Sequence, residues 1–536
     1  MSERLDKVKL LKGRQWERQD SLDNIGVSTY ALIKDAIQEG KNELAKDLAE
    51  YLYFWEQKFY LDTGIDLNGG FPAFIMAYHG EEPLFEVYWE AMVRNRGLTK
   101  WPVEPVKKRD MEPAEFALED HVVRMIRLHR MGYNDGTGGM VIREYEDRYE
   151  FLWDPCYTGG RTRRGDPLTC TPPHTAPPFN FPVTKAPHPW TAGQVGLTGY
   201  CIHCHLIHEL FDIEQTGYLG QWVVGYPDDP WESCPYIAYK NVDWTPEIYY
   251  TRLGRTKPKP TSTEPPPKNP KLIREVHSDE FGDLRLIHTL PKLKKAIDAG
   301  DKEEAIRLVD VLGAEREIHG YPFPWIWTWP DVIIDKWGYD DFLHILRSIC
   351  SRMEMPLAPN EPKPTKNEIP GVDVRVRKGA LWARGARSGP DKSSVNIIDE
   401  PDRIVMELNP CGCTGTRLLP LDKVDDFTNA VNKELSGKIV RKLERPALTQ
   451  PPYNLKSTNV AHSVGWNKLG IPHACLRCCV HFEMAAVAKH GYLTTVVERP
   501  ANSTDPNCRW FFYKDLDDVP EEFYVRIGAK KPAPQP

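Results

Sequence analysis

Cys201-Ile202-His203-Cys204-His205-Leu206-Ile207-His208-Glu209 returns 274 residues later as Cys475-Leu476-Arg477-Cys478-Cys479-Val480-His481-Phe482-Glu483, with its C-x-x-C…E skeleton intact. The surroundings return at the same offset: His188 as His462, Gly196 as Gly470, Gly217-Tyr218 as Gly491-Tyr492, Cys234 as Cys508, and Tyr239-Lys240 as Tyr513-Lys514. So many uncommon residues held at one spacing mark an internal duplication, with a cysteine-rich site in each copy.

Upstream the offset changes but the correspondence persists. Tyr149, Phe151 and Trp153 alternate down one face of a predicted strand, and Ile404, Met406 and Leu408 take the same places 255 residues later. Each strand starts with Asp-Arg (Asp147-Arg148, Asp402-Arg403) and runs into Pro-Cys (Pro155-Cys156, Pro410-Cys411), so a strand delivers the first cysteine of each set. Further back, Ala36-Ile37-Gln38-Glu39-Gly40 matches Ala296-Ile297-Asp298-Ala299-Gly300 at an offset of 260, inside segments of helical period over Asn24–Tyr60 and Leu290–Glu317. More helices are expected at Glu81–Arg94, Pro113–Met131 and Gly338–Arg352. After each C-x-x-C a strand holding Val223 or Val497 is expected, then one that opens at Cys234 or Cys508.

The expected fold is therefore α+β: two copies of a helical segment followed by a small, mostly antiparallel sheet with one cysteine-bearing helix. Residues 1–250 form the first copy, 251–283 a Pro-rich linker, 284–528 the second copy and 529–536 a disordered tail. Between Pro-Cys and C-x-x-C the second copy is longer and carries a helical pattern over Val424–Arg445, so the copies have diverged most beside their sites.

With 536 residues, 41 % hydrophobic and 27 % charged, the chain can bury several cores. Its formal charge of −7 offers no basic field, which argues against nucleic acid as a partner. No run approaches a membrane span and no leader is legible at the start, so a cytoplasmic protein without membrane attachment is expected. The twelve cysteines of such a protein are mostly reduced, and close repeated spacings then favour metal ligation over disulfides.

Each copy offers four matched thiols as metal ligands: Cys156, Cys201, Cys204 and Cys234, then Cys411, Cys475, Cys478 and Cys508. Such sets bind zinc or an iron–sulfur cluster, up to one site per half. His188 and His462, each thirteen residues before the motif, are candidates for a further ligand or a catalytic acid/base. Glu209 lies about 7.5 Å along a helix from Cys204, at about 1.5 Å per residue, which suits Glu209 and Glu483 to proton transfer or to support of the ligands. At the positions that differ, the first copy has His203, His205 and His208 where the second has Arg477, Cys479 and Phe482, and the second adds Cys413. Cys170 and Cys350 lack counterparts and read as ordinary cysteines. Arg161, Arg163 and Arg164 read either as an anion site or, more simply, as a solvated basic loop. The tryptophans and tyrosines near the sites, Trp466 and Trp510 among them, read mostly as core, with a few lining an apolar pocket for a flat ligand.

These features fit a metalloenzyme, a metal-dependent hydrolase or lyase, using a cysteine-held metal as Lewis acid on a small organic substrate. They also fit a non-catalytic iron–sulfur subunit that carries electrons or senses redox state, or a scaffold with two structural zincs. A protein partner or a homo-oligomer stays open.

Overall fold

The computed structural model describes all residues except 1, 14, 96–138, 220–222, 277–287, 321–324, 354–363, 387–393, 413–429, 432–446, 452, 502–503 and 535–536. The helices expected at Pro113–Met131 and over most of Val424–Arg445, and Cys413, lie outside the described residues.

Strands β1 (Leu10–Leu11) and β2 (Glu17–Arg18) form a short ribbon. A five-stranded antiparallel sheet follows, built from β3 (Gly139–Tyr145), β4 (Arg148–Asp154), β5 (Val223–Val224), β6 (Cys234–Tyr239) and β7 (Leu272–Val276), in the order β5-β6-β4-β3-β7. The second sheet holds β8 (Asn396–Asp399), β9 (Arg403–Leu408), β10 (Val496–Glu498) and β11 (Cys508–Tyr513), in the order β10-β11-β9-β8. With the helices, this is an α+β fold.

Strand register follows the sequence offsets. β4 pairs with β6 from Arg148↔Tyr239 to Trp153↔Cys234, and β9 pairs with β11 from Arg403↔Tyr513 to Leu408↔Cys508. In β4 alternation supports this, because Phe151 and Trp153 are buried between more exposed neighbours, whereas in β9 Val405 is buried along with Ile404, Met406 and Leu408, so both faces are covered. The same pairing sets the cysteine that opens β6 or β11 beside the strand end that runs into Pro155-Cys156 or Pro410-Cys411. Small turns repeat as well. The Tyr250 hydroxyl accepts from the Leu219 N–H (2.9 Å) and that of Tyr524 from Leu493 (3.1 Å), while Asn241 and Asp515 cap the Asp243 and Asp517 N–H groups, each at 2.9 Å.

The helical segments correspond too. Helices Thr29–Gln38 and Asn42–Tyr51 are separated by Gly40 (φ 72°), and helices Thr289–Asp298 and Lys302–Gly320 by Gly300 (φ 71°). In both, a left-handed glycine ends the first helix, as the absence of a Cβ permits. Thr29 donates to Glu56 Oε1 (2.8 Å) and Thr289 to Glu315 Oε1 (2.7 Å). These four helices bury their apolar stripes against one another: Leu32, Ile33 and Leu48 share a cluster with Leu293, Ile297 and Leu308.

Several elements depart from the sequence expectation. A π-helical stretch, Leu52–Lys58, leads into the helix Phe59–His79, whose Gly64, Gly69, Gly70 and Pro72 mask its propensity. Gly70 is there for packing, since a Cβ would fall 2.8 Å from the Ile349 side chain. The helix Trp325–Met353 begins well before Gly338, where its backbone breaks (φ 88°, ψ 179°). Helix Val372–Gly385 buries Arg375 and Arg384, an arrangement its charged composition hides. Leu272–Val276, inside the stretch read as linker, is the edge strand β7, and in the C-terminal tail Lys531 donates to the Asp517 carbonyl at 2.7 Å. Among the described residues no helix is long and apolar enough to cross a membrane.

Candidate functional site

In the second copy the four thiols arrive from three directions. Cys411 follows β9 and donates its N–H to the Pro506 carbonyl (2.8 Å), and Cys508 opens β11. Cys475 ends the 3-10 turn His473–Cys475, and Cys478 closes the helical turn Leu476–Cys478, which continues as the π-helical segment Cys479–Met484. All four line one cavity of about 270 Å³, together with Trp466, Val497 and Arg499. Arg499, tied to the Asn507 and Asp505 carbonyls, sets a positive charge in that wall, which attracts anionic ligands. Among the described residues no three of His, Cys, Asp or Glu converge on a single ion position. The thiols surround a space.

Cys411 and Cys478 also line a second cavity of about 560 Å³. Its walls are aromatic: Phe482 lies 4.6 Å from Trp510 and 6.0 Å from Trp382, ring centre to ring centre, and His481 lies 5.5 Å from Trp382. Burial, with the Arg477 charge beside it, pushes His481 down to about 4, so its ring is neutral near pH 7. Thr63 and Leu67 of the first copy complete the wall, and so does Cys350, which the sequence marked as ordinary.

In the first copy Cys201 is the N-cap of the helical turn Ile202–His205, which carries Cys204. Cys156 follows β4 and Cys234 opens β6. Burial raises all three of Cys201, Cys204 and Cys234, Cys201 to about 11, and neighbouring thiols of the set push the same way. Tyr236 donates to Cys204 Sγ at 3.0 Å, Cys234 Sγ donates to the Gly225 carbonyl at 3.0 Å, and Cys156 Sγ lies 3.5 Å from the Thr158 hydroxyl. A Cβ at Gly159 would sit 2.8 Å from Cys201 Sγ. Gly159→Ala is therefore expected to cost about 1–3 kcal/mol by overpacking and to displace that thiol. Urea denaturation measures the cost, and an unchanged midpoint would refute the close approach.

The other predicted residues occupy different stations. His188 Nε2 meets Glu81 Oε2 at 2.6 Å and stacks on Trp190 (4.6 Å between ring centres). His462 Nε2 meets Asp340 Oδ1 at 3.1 Å, its Nδ1 accepts from the Val464 N–H at 3.2 Å, and it stacks on Tyr339. Both histidines pin the loop before the motif to a helix of their own copy; neither lines the cavities described above. Glu209 and Glu483 are fully buried braces. Glu209 accepts from the Val224 N–H (2.8 Å) and Arg252, and pairs with His205 Nδ1 (2.7 Å). Glu483 accepts from the Val497 N–H (2.6 Å), Arg526 (2.6 Å) and Trp466 Nε1 (2.9 Å). Each carboxylate thus ties the motif helix to the following strand and to an arginine 43 residues on. Burial lifts Glu483 to about 7 against the pull of Arg526.

The arginine loop departs from both of its expectations. Arg161 is buried and paired with Asp66 and Asp62 in a charge network that includes His174, Lys58 and Asp166. Arg163 stacks on Tyr226 at 4.0 Å, and Arg164 donates to the Cys156 carbonyl at 2.6 Å.

Of the pocket residues, His481 follows Cys478 by three positions, one helical turn, and that spacing is a signal the sequence carries. Trp382, Thr63 and Leu67 come from distant helices and carry none. Compared with known family models, curated proteins and solved structures, the chain matches none. What defines it is its own architecture, an α+β fold with two four-cysteine sets, one of them beside an aromatic pocket.

Proposed function

We propose that this chain is a metalloenzyme whose second-copy cysteines, Cys411, Cys475, Cys478 and Cys508, hold a metal centre that acts on a small organic substrate in the adjoining pocket. The supporting observation is that Cys411 and Cys478 line both cavities, so a centre held there borders the substrate space. Four thiols brought together from separated segments suit zinc or an iron–sulfur cluster. Lewis-acid chemistry at such a centre would need one coordination position open to a substrate oxygen, so three of the four thiols would hold it. Trp382, Phe482 and Trp510 orient the substrate and exclude water.

A second reading, an electron-carrying subunit, is favoured by one observation in the first copy. There the Tyr236 hydroxyl bonds Cys204 Sγ, and hydrogen bonds to ligand sulfurs tune cluster potentials.

Metal analysis and visible absorption of anaerobically purified protein test the proposal. Bound metal is expected, colourless if zinc and with a visible chromophore if an iron–sulfur cluster, and Cys478→Ser is expected to remove the second-copy centre while Cys204→Ser removes the other. Wild-type protein without metal, or Cys478→Ser with an unchanged metal content, would overturn it.

A further inference from the structure

We infer that the Pro-rich segment 256–271 is a docking strip for a domain of another protein, one whose groove is lined by aromatic side chains and rimmed by acidic ones; this stands apart from the metal centre. From 255 to 271 the chain forms neither helix nor strand, yet it is fixed to the first copy. Lys257 donates to the Asp243 carbonyl at 2.8 Å. Buried Asp243 Oδ2 accepts from the Thr261 N–H (2.8 Å), the Thr261 hydroxyl (3.0 Å) and the Ser262 N–H (2.8 Å). The Trp244 indole donates to the Glu264 carbonyl at 3.1 Å. At the far end the Lys271 N–H donates to Glu146 Oε2 and the Glu146 N–H to the Lys271 carbonyl, each at 3.1 Å. Connections of this length without secondary structure are uncommon in compact proteins, and one pinned at both ends is no slack tether.

Between the anchors Thr263, Glu264, Pro265 and Pro266 are exposed. Each proline ring fixes its own φ and pushes the residue before it into an extended conformation, so Glu264-Pro265-Pro266-Pro267 is confined to polyproline II geometry. That form has no internal hydrogen bonds to break and little entropy left to lose, and aromatic-lined grooves recognise it. Charge selects the rim. Segment 256–271 holds Lys257, Lys259, Lys268 and Lys271 against one acid, Glu264, and the last three of these lysines are exposed, so an acidic rim is attracted and a basic one repelled. Duplication accounts for the anchor: Lys531 donates to the Asp517 carbonyl at 2.7 Å, as Lys257 does to that of Asp243, and Pro532-Ala533-Pro534 follows it as Pro258-Lys259-Pro260 follows Lys257. The three consecutive prolines lie past that match.

Biolayer interferometry of the full-length protein over a panel of immobilised SH3 and WW domains, some with acidic and some with basic groove rims, tests this at low and high salt. Binding to the acid-rimmed domains is expected, and it should weaken as salt rises. Pro265→Ala combined with Pro266→Ala should weaken it about tenfold or more, through lost ring contacts and lost stiffness. Lys268→Glu should weaken it about threefold or more, as the reversal of an exposed charge implies. Asp243→Ala should weaken it too, because a released strip must be ordered again on binding. Circular dichroism confirms the fold of each variant, and Lys268→Glu, a change at an exposed side chain, carries the test if the proline variant misfolds. Absence of binding across the panel, a preference for basic rims, or binding that survives the proline changes overturns the inference. So does self-association of the wild type that the proline changes abolish, since a second copy of the chain would then be what covers the strip.

Discussion

Glu483→Ala is expected to destabilise the protein by about 3–5 kcal/mol, because it leaves Arg526 with a charge and no carboxylate in a largely buried setting. Three donors converge on that carboxylate from three elements: the Val497 N–H of β10, the Trp466 indole and the Arg526 guanidinium. Removing the acceptor strands all of them. The double variant with Arg526→Met should cost much less than the sum of the single ones, which is the signature of a buried pair. Chemical denaturation measures each; a loss under 1 kcal/mol for Glu483→Ala would show that the brace is dispensable. The same carboxyl predicts a pH slope. Burial lifts it to about 7 from an ordinary 4.5, so between those values the folded chain keeps a proton that the unfolded chain has released. The contribution of this carboxyl should be greatest below 4.5, fall by up to about 1.4 kcal/mol per pH unit as pH rises towards 7, and level off above. In Glu483→Gln this part of the slope should vanish.

The two copies, expressed separately as residues 1–276 and 284–534, are expected not to fold. They share their cores. Leu32 and Leu48 of the first copy lie in one cluster with Leu293 and Leu308 of the second, and Phe71 stacks on Trp329 at 6.0 Å and on Phe342 at 6.4 Å. Exposing each such side chain costs about 1.5–3 kcal/mol, and a few of them outweigh the 5–15 kcal/mol of a typical domain. Separation also breaks the buried pair of Arg384 Nε with Glu56 Oε1 (2.7 Å). Each piece alone should aggregate or unfold without cooperativity, and co-expression should restore a soluble pair. A cooperative thermal transition from either piece alone would show that the copies are independent domains.

The core clusters run across the boundaries drawn from the sequence. Periodicity reports which face of a helix is apolar but not which helix covers it. The stripe on Thr29–Gln38 was legible, and its partner Leu293, some 260 residues away, was not. Glu209 and His188 show the same limit. Helical spacing put Glu209 near Cys204, yet its task is decided by Val224 and Arg252; spacing put His188 before the motif, yet Glu81, 107 residues earlier, claims its ring. Helix Val372–Gly385 was missed because its arginines look solvent-facing until Glu56 and the Tyr513 carbonyl are brought to them.

The sequence by itself determined the α+β class, the positions of the strands that lead into and out of each cysteine set, and the eight matched thiols. These depend on alternation and spacing, which act between residues close along the chain or along one paired strand. Only the tertiary structure decided that Cys411 and Cys478 border a cavity. A cavity is the space left where elements fail to meet, and this one needs Thr63 and Leu67 from one copy, Trp382 from an unforeseen helix, and Cys411 and Cys478 at its border. No local pattern encodes a void.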